Sequence, residues 1–173
     1  EITVKKLKNI RSIEFNSLEL AKFKKILNSM LKIDEDVIDK LIRFSLDNSI
    51  TEIDRQTYQA MESFIHNLNT MNSRSGGQVP FSSINLGTDT SPEGRMVTKN
   101  LLLALEAGLG KGETAIFPIV IFKVKEGINL NKNDINYDLF KLACRVSSKR
   151  LFPNFSFIDA PFNLKYYKKN NPD

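Results

Sequence analysis

Apolar positions recur at helical spacing through the first 72 residues and switch to strand spacing after them. The chain opens on a weak alternation, KLKNIRSIEF, and then places Leu20, Phe23, Ile26, Leu27, Met30 and Leu31 three or four apart, the signature of an amphipathic helix. Asp34 stands as an N-cap before a second stripe, Val37, Ile38, Leu41, Ile42 and Ser45, which is expected to stop near Asn48. A third helix is expected from about Asp54 to Asn72, with Tyr58, Met61, Ile65 and Leu68 on one face. Gly76 and Gly77, tolerant of positive φ, are expected to stop it.

The period then changes. In QVPFSSINLG, Val79, Phe81, Ser83 and Asn85 alternate with Pro80, Ser82, Ile84 and Leu86, which predicts a strand with Pro80 near its start or at an edge. TDTSPEGR has the grammar of a helix start: Ser91 as N-cap, Pro92 at the first position and Glu93 complementing the dipole. The helix RMVTKNLLLALEA runs to Gly108 and is apolar nearly all round. Such a helix is buried on two sides, one against a sheet and the other against a further surface such as a partner subunit. GLGKGET is a turn, AIFPIVIFKV a continuous apolar strand of the buried parallel kind, and KEGINLNKNDINYD a polar loop. LFKLACRVSSKR is a helix and NFSFIDAPF a strand. Strands alternating with helices imply right-handed crossovers and a parallel sheet or barrel, so the fold class is α/β. Ligands in such folds bind at the carboxyl ends of strands, where GTDTSPEGR lies.

Composition narrows the picture modestly. A chain of 173 residues, 41% hydrophobic and 26% charged, is one ordinary globular domain's worth. No apolar run approaches the roughly 18 residues of a membrane span. The single cysteine, Cys144, excludes an internal disulfide, and no Cys/His cluster offers a zinc site. Residues 1–54 carry ten basic and ten acidic side chains, whereas residues 55–173 carry fifteen and ten, so the net +5 lies wholly in the second part. That excess suits an anionic partner such as a nucleotide phosphate or nucleic acid, and equally a surface mildly rich in lysine. KYYKKNNPD is the densest basic and aromatic stretch.

Candidate chemistry is sparse. GLGKGET is not a Walker A loop, because it lacks G-x-x-x-x-G-K-[ST] and precedes a strand; it also fails G-x-G-x-x-G. GTDTSPEGR leads from a strand into a helix N-terminus, whose free N–H groups favour anions. Asp89 and Glu93 oppose a phosphate there unless a cation or Arg95 intervenes, and they are suited to accept from a ribose or base. Cys144 sits mid-helix beside Arg145, which permits either a nucleophilic or radical thiol or a small apolar side chain packed in a core. His66, the only histidine, falls one step off its helix's apolar stripe, so no His-based relay is available within the chain. No carboxylate pair compels acid–base chemistry, and no catalytic residue is visible.

The segment from TYQAMESF through NLNTMNSRSGGQVPFSSINLGTDTSPEGRMVTKNLLLALEAGLGKGET, continued in IFPIVIFKVKEG and in NYDLFKLACRVSSKRLFPNFSFIDAPFNLKYYK, resembles the centre of the anaerobic (class III) ribonucleoside-triphosphate reductases. The likeness covers about residues 55–170. It implies part of a ten-stranded α/β barrel, a parallel half-barrel with crossover helices, so that residues 55–173 form a partial half-barrel and 1–54 a helical lead-in. GTDTSPEGR is then the first specificity loop and EGINLNKNDINYD the second. Effector or nucleotide contacts transfer at the level of the loops to Asp89, Ser91, Glu93 and Arg95 in the first, and to Asn129, Lys132 and Asn133 in the second. Lys132 is the phosphate partner that charge favours. The greasy helix becomes a dimer contact.

The resemblance further implies ribonucleoside triphosphate substrates, ATP and deoxynucleoside triphosphate effectors, a homodimer and a cytoplasmic location. In the family a cysteine thiyl abstracts the ribose 3′ hydrogen and the 2′ hydroxyl leaves as water. The full enzyme is expected to use a glycyl radical, a structural zinc and an iron–sulfur/S-adenosylmethionine activase. None of these groups is expected on this segment, which has no finger-loop cysteine, radical glycine or metal ligands in context. The reading is therefore of a fragment, inactive alone, with neither membrane nor direct nucleic-acid binding. A non-catalytic nucleotide-binding or dimerisation remnant of the family is the alternative. A basic nucleic-acid-binding domain ranks behind both, since no reading motif supports it.

Overall fold

The computed structural model describes residues 17–31, 34–72, 75–164 and 166. Helices α1 (Ser17–Leu31) and α2 (Glu35–Thr70) come first, followed by strand β1 (Ser83–Leu86), helix α3 (Pro92–Ala107), strand β2 (Ile119–Val124), helix α4 (Tyr137–Arg150), strand β3 (Asn154–Phe157) and the single turn α5 (Pro161–Leu164). The strands form one parallel sheet in the order β1-β2-β3, with Ser83 opposite Ile119 and Ile121 opposite Asn154. α3 and α4 supply the crossovers that parallel neighbours require. The α/β class read from the sequence is what the chain adopts.

β1 and β2 start late for a reason visible in their residues. Pro80 and Pro118 cannot donate to a ladder, so β1 and β2 start after them, and pairing begins where Ile119 N donates to Ser82 O at 2.9 Å. Val120, Phe122 and Val124 then point to one face of the sheet and are buried there with Leu101, Leu102 and Leu105 of α3 and Leu139, Leu142 and Val146 of α4. Phe122 lies 6.2 Å from the ring of Phe140 and 6.0 Å from that of Phe155. Each fully buried leucine here contributes about 1.5–3 kcal/mol relative to exposure.

Two expectations are corrected and a third is made specific. The stripe over residues 37–45 does not stop at Asn48: α2 is one helix of 36 residues, continuous through residues 54 and 55. Nothing between Asn48 and Asp54 breaks it, since no Gly or Pro intervenes and the hydroxyls of Thr51 and Thr57 bond back to Asp47 O and Ile53 O four residues earlier. The further surface expected against the second side of α3 includes α2. Ile65 of α2 enters the core and Tyr58 and Met61 pack against it. Asp54 accepts from Lys99 at 2.5 Å and from Asn100 at 2.7 Å. Finally, Cys144 is exposed on α4 and is not packed in the core; partial burial pushes its thiol pKa up, the opposite of what an activated nucleophile needs.

Side chains also close the gaps between elements. The Asn69 amide accepts from Ile116 N and Phe117 N at 2.8 and 3.1 Å and donates to Phe117 O at 2.6 Å, tying the end of α2 to the entry of β2. Arg150 donates to Glu106 O and Ala107 O, satisfying carbonyls at the end of α3 that have no helical partner. The Glu106 carboxylate accepts from Arg145 at 2.6 Å and Lys149 at 2.5 Å. Burial raises its pKa, but these bonds outweigh it and hold it below the ordinary range. His66 is half-buried on α2. The KLKNIRSIEF alternation, and KYYKKNNPD apart from an exposed Tyr166, lie outside the described residues.

Candidate functional site

At the carboxyl end of β1 the chain turns at Gly87, with φ +114°. A Cβ there would stand 2.7 Å from Lys123 O and 3.1 Å from the Phe122 ring, so only glycine lets the backbone pass this close over β2. The following residues make a self-capped helix start. Ser91 Oγ accepts from Gly94 N at 3.1 Å, the N-cap bond expected from the sequence. The Asp89 carboxylate in turn accepts from Ser91 N at 2.8 Å and Ser91 Oγ at 2.7 Å. It sits where a side chain on Gly94 would be. The N-terminus of α3, a natural anion site, is thus already faced by the chain's own carboxylate.

A cleft of about 630 Å³ opens beside this turn. Ile84, Leu86, Val97 and Leu101 give it an apolar wall, and Asn85, Thr88, Asp89, Thr98 and Lys123 give it polar ones. Its volume falls in the range of small-molecule sites, and the mixture of apolar surface with a few fixed polar groups suits a ligand having both a ring and hydrogen-bonding substituents.

The seven candidate residues fall into three groups. Asp89 lines the cleft, with Ser91 beside it at the helix start and Glu93 exposed on the first turn of α3. Arg95 and Asn129 are buried, 1% and 0% exposed, and both are engaged with the protein. Arg95 donates to Ile135 O and Asn136 Oδ1, each at 2.5 Å, and to Asp138 Oδ2 at 2.7 Å. Asn129 donates to Gly87 O at 2.9 Å and Lys123 O at 2.8 Å, while its oxygen accepts from Lys125 N at 2.8 Å. Lys132 and Asn133 are exposed in the second loop and do not line the cleft. A side chain satisfied in this way inside the protein is a strut, because a ligand would have to break charge-assisted bonds in a low-dielectric site to recruit it.

Asn136 is the residue that sequence reasoning passed over. It is fully buried, donates to Gly87 O at 3.1 Å and Asp89 O at 2.7 Å, and accepts from Arg95. Its only signal in the chain was an asparagine one residue before a helix. Lys123, Asn85, Thr88 and Thr98 were missed as cleft-lining residues, although a lysine within the apolar run IVIFKV was a legible anomaly. Among the described residues, no three His, Cys, Asp or Glu side chains group as a metal site.

A parallel α/β unit with a ligand-sized cleft at the carboxyl ends of its strands is the class of protein that fold and site define. A family model described as anaerobic ribonucleoside-triphosphate reductase matches residues 14–173. The chain is 34% identical over 151 residues to the anaerobic ribonucleoside-triphosphate reductase of Enterobacteria phage T4, which covers 84% of this chain and 25% of the phage protein. Proteins of the same name from Escherichia coli (strain K12) and Haemophilus influenzae (strain ATCC 51907 / DSM 11121 / KW20 / Rd) are 38% and 37% identical over 58% and 59% of this chain, and in each the match spans 14% of the relative. The chain belongs to the anaerobic ribonucleoside-triphosphate reductase family. It spans a quarter or less of the length of these relatives.

Proposed function

We propose that this chain is a segment of an enzyme that reduces ribonucleoside triphosphates to deoxyribonucleoside triphosphates, and that the cleft beside β1 is a nucleotide-contacting site. Family membership gives the reaction class. The single observation that supports a role for this segment is the cleft, with an apolar wall for a base and Asn85, Thr88, Asp89 and Thr98 as hydrogen-bonding partners for base or sugar. Asp89 already faces the α3 N-terminus, so the ligand's hydroxyl or amine end belongs near it and the phosphates elsewhere.

The ten-stranded barrel, glycyl and thiyl radical chemistry, control by ATP and deoxynucleoside triphosphates through the two loops, the homodimer, the activase and the cytoplasmic setting belong to the same proposal. The described residues do not fit a zinc or iron–sulfur centre, lacking a cluster of ligands, and Cys144 is an exposed thiol with a raised pKa. No step of the reaction is therefore assigned to this segment's own side chains; its part is to bind and orient.

Calorimetric titration of the 173-residue chain with deoxynucleoside and ribonucleoside triphosphates, and with inorganic tripolyphosphate, tests the reading. Base-dependent binding that Val97→Trp abolishes is expected, since Val97 is 42% exposed on the cleft wall and tolerates a bulkier side chain without loss of core packing. Equal binding of tripolyphosphate, or binding unaffected by that substitution, would overturn it.

A further inference from the structure

Asn136 lies at the centre of a buried polar clasp between the two loops. Its amide nitrogen holds two carbonyls of the first loop, Gly87 O at 3.1 Å and Asp89 O at 2.7 Å, from a distance in sequence of 49 and 47 residues. Its oxygen is held by Arg95 at 2.5 Å, and Arg95 is itself anchored on Ile135 O and Asp138. The planar guanidinium thereby fixes which way the amide faces, with the NH2 end towards the first loop. Asn129 supplies a second hold on Gly87 O and ties that carbonyl to the end of β2. Gly87, Thr88 and Asp89 form one wall of the cleft.

We propose that Asn136 is a positioning residue for the cleft: by gripping the Gly87 and Asp89 carbonyls it sets the wall a ligand meets, so that affinity at the first loop is governed from the second. The ligand class rests on the nucleotide reading above; the positioning itself does not. The chemistry explains why asparagine stands here. Only a side-chain amide offers two donors to neighbouring carbonyls and an acceptor to an arginine from one planar group of this size. Aspartate keeps the acceptor and loses both donors. Alanine loses all three and leaves a buried guanidinium short of a partner.

The experiment compares the wild-type chain with Asn136→Asp and Asn136→Ala by site-resolved amide hydrogen exchange and by nucleotide titration. Asn136→Asp keeps the partner of Arg95, so it guards against the case in which alanine fails to fold. Exchange at residues 88–91 is expected to rise at least tenfold in Asn136→Asp, with protection in β2 and in Leu139–Val146 unchanged, and nucleotide affinity is expected to fall about tenfold. A structural role alone would raise exchange throughout the core or leave affinity intact, and either result overturns the proposal. So does unchanged exchange at residues 88–91. If the wild-type chain binds no nucleotide, the functional reading falls, and the exchange pattern still decides whether Asn136 positions the wall.

Discussion

The sheet with α3 and α4 buries polar side chains, whereas the hairpin of α1 with the first half of α2 exposes apolar ones. Around the loops, Arg95, Asn129 and Asn136 lie in the interior with their bonds made to the protein. On the hairpin, Phe23, Ile26 and Met30 of α1 and Val37, Leu41 and Phe44 of α2 are 44–74% exposed, while Ile38 and Ile42 alone are buried in that stretch of α2. An ion pair, Lys24 to Asp39 at 2.9 Å, joins the two helices. The difference teaches where sequence has been constrained to hold a shape. Burying a charge or an amide is unfavourable unless every bond is made, so such groups persist where geometry matters. An exposed aliphatic side chain holds no geometry and contributes little to stability.

Substitutions can break this comparison, beginning with the largest expected effect. Arg95→Met strands Asp138 and Asn136 in the interior and is expected to cost about 3–5 kcal/mol, read as a lower urea midpoint. Leu102→Ala, at a fully buried position of α3, should cost about 2–5 kcal/mol by the same measurement. Gly87→Ala forces a Cβ onto Lys123 O at an unfavourable φ and should cost about 1–3 kcal/mol. Phe44→Ser, on the hairpin, should move stability by no more than about 0.5 kcal/mol. A large loss there would mean that the hairpin is as tightly specified as the sheet.

A pH series sharpens the same contrast. Glu106 has a folded-state pKa below its ordinary 4.5 because Lys149 and Arg145 bond its carboxylate against the opposing effect of burial. Its contribution is present above about pH 4.5 and is lost as pH falls through the lower folded-state value. Glu106→Gln should therefore be less stable than wild type at pH 7, with the gap closing below pH 4.5 in thermal melts.

Much of this architecture was legible in the chain. Period-two alternation located β1, the run AIFPIVIFKV located β2 although the strand begins only after Pro118, and Ser91-Pro92 marked the start of α3 through local chemistry alone. Asp34 also stands at the N-cap of α2, although there its backbone oxygen, rather than its side chain, takes the first bonds. The site was less legible because Arg95, Asn129 and Asn136 each bond partners 40 or more positions away. In the sequence Arg95 stands only as a residue of the first loop, and its bonds to Asn136 and Asp138 show only in the fold. Asn129 has the composition of a loop residue and the burial of a core one. Cys144 misled in the other direction, since mid-helix position does not say which side of the helix faces solvent.

The claim that the cleft beside β1 receives a nucleotide is tested most directly by recording backbone amide chemical shifts of the 173-residue chain during titration with a deoxynucleoside triphosphate. The account predicts saturable shifts concentrated at Ile84–Asp89, Gly94, Val97, Thr98, Leu101 and Lys123, the residues that line the cleft. Shifts confined to the exposed 130–133 loop, or none at saturating nucleotide, would contradict it.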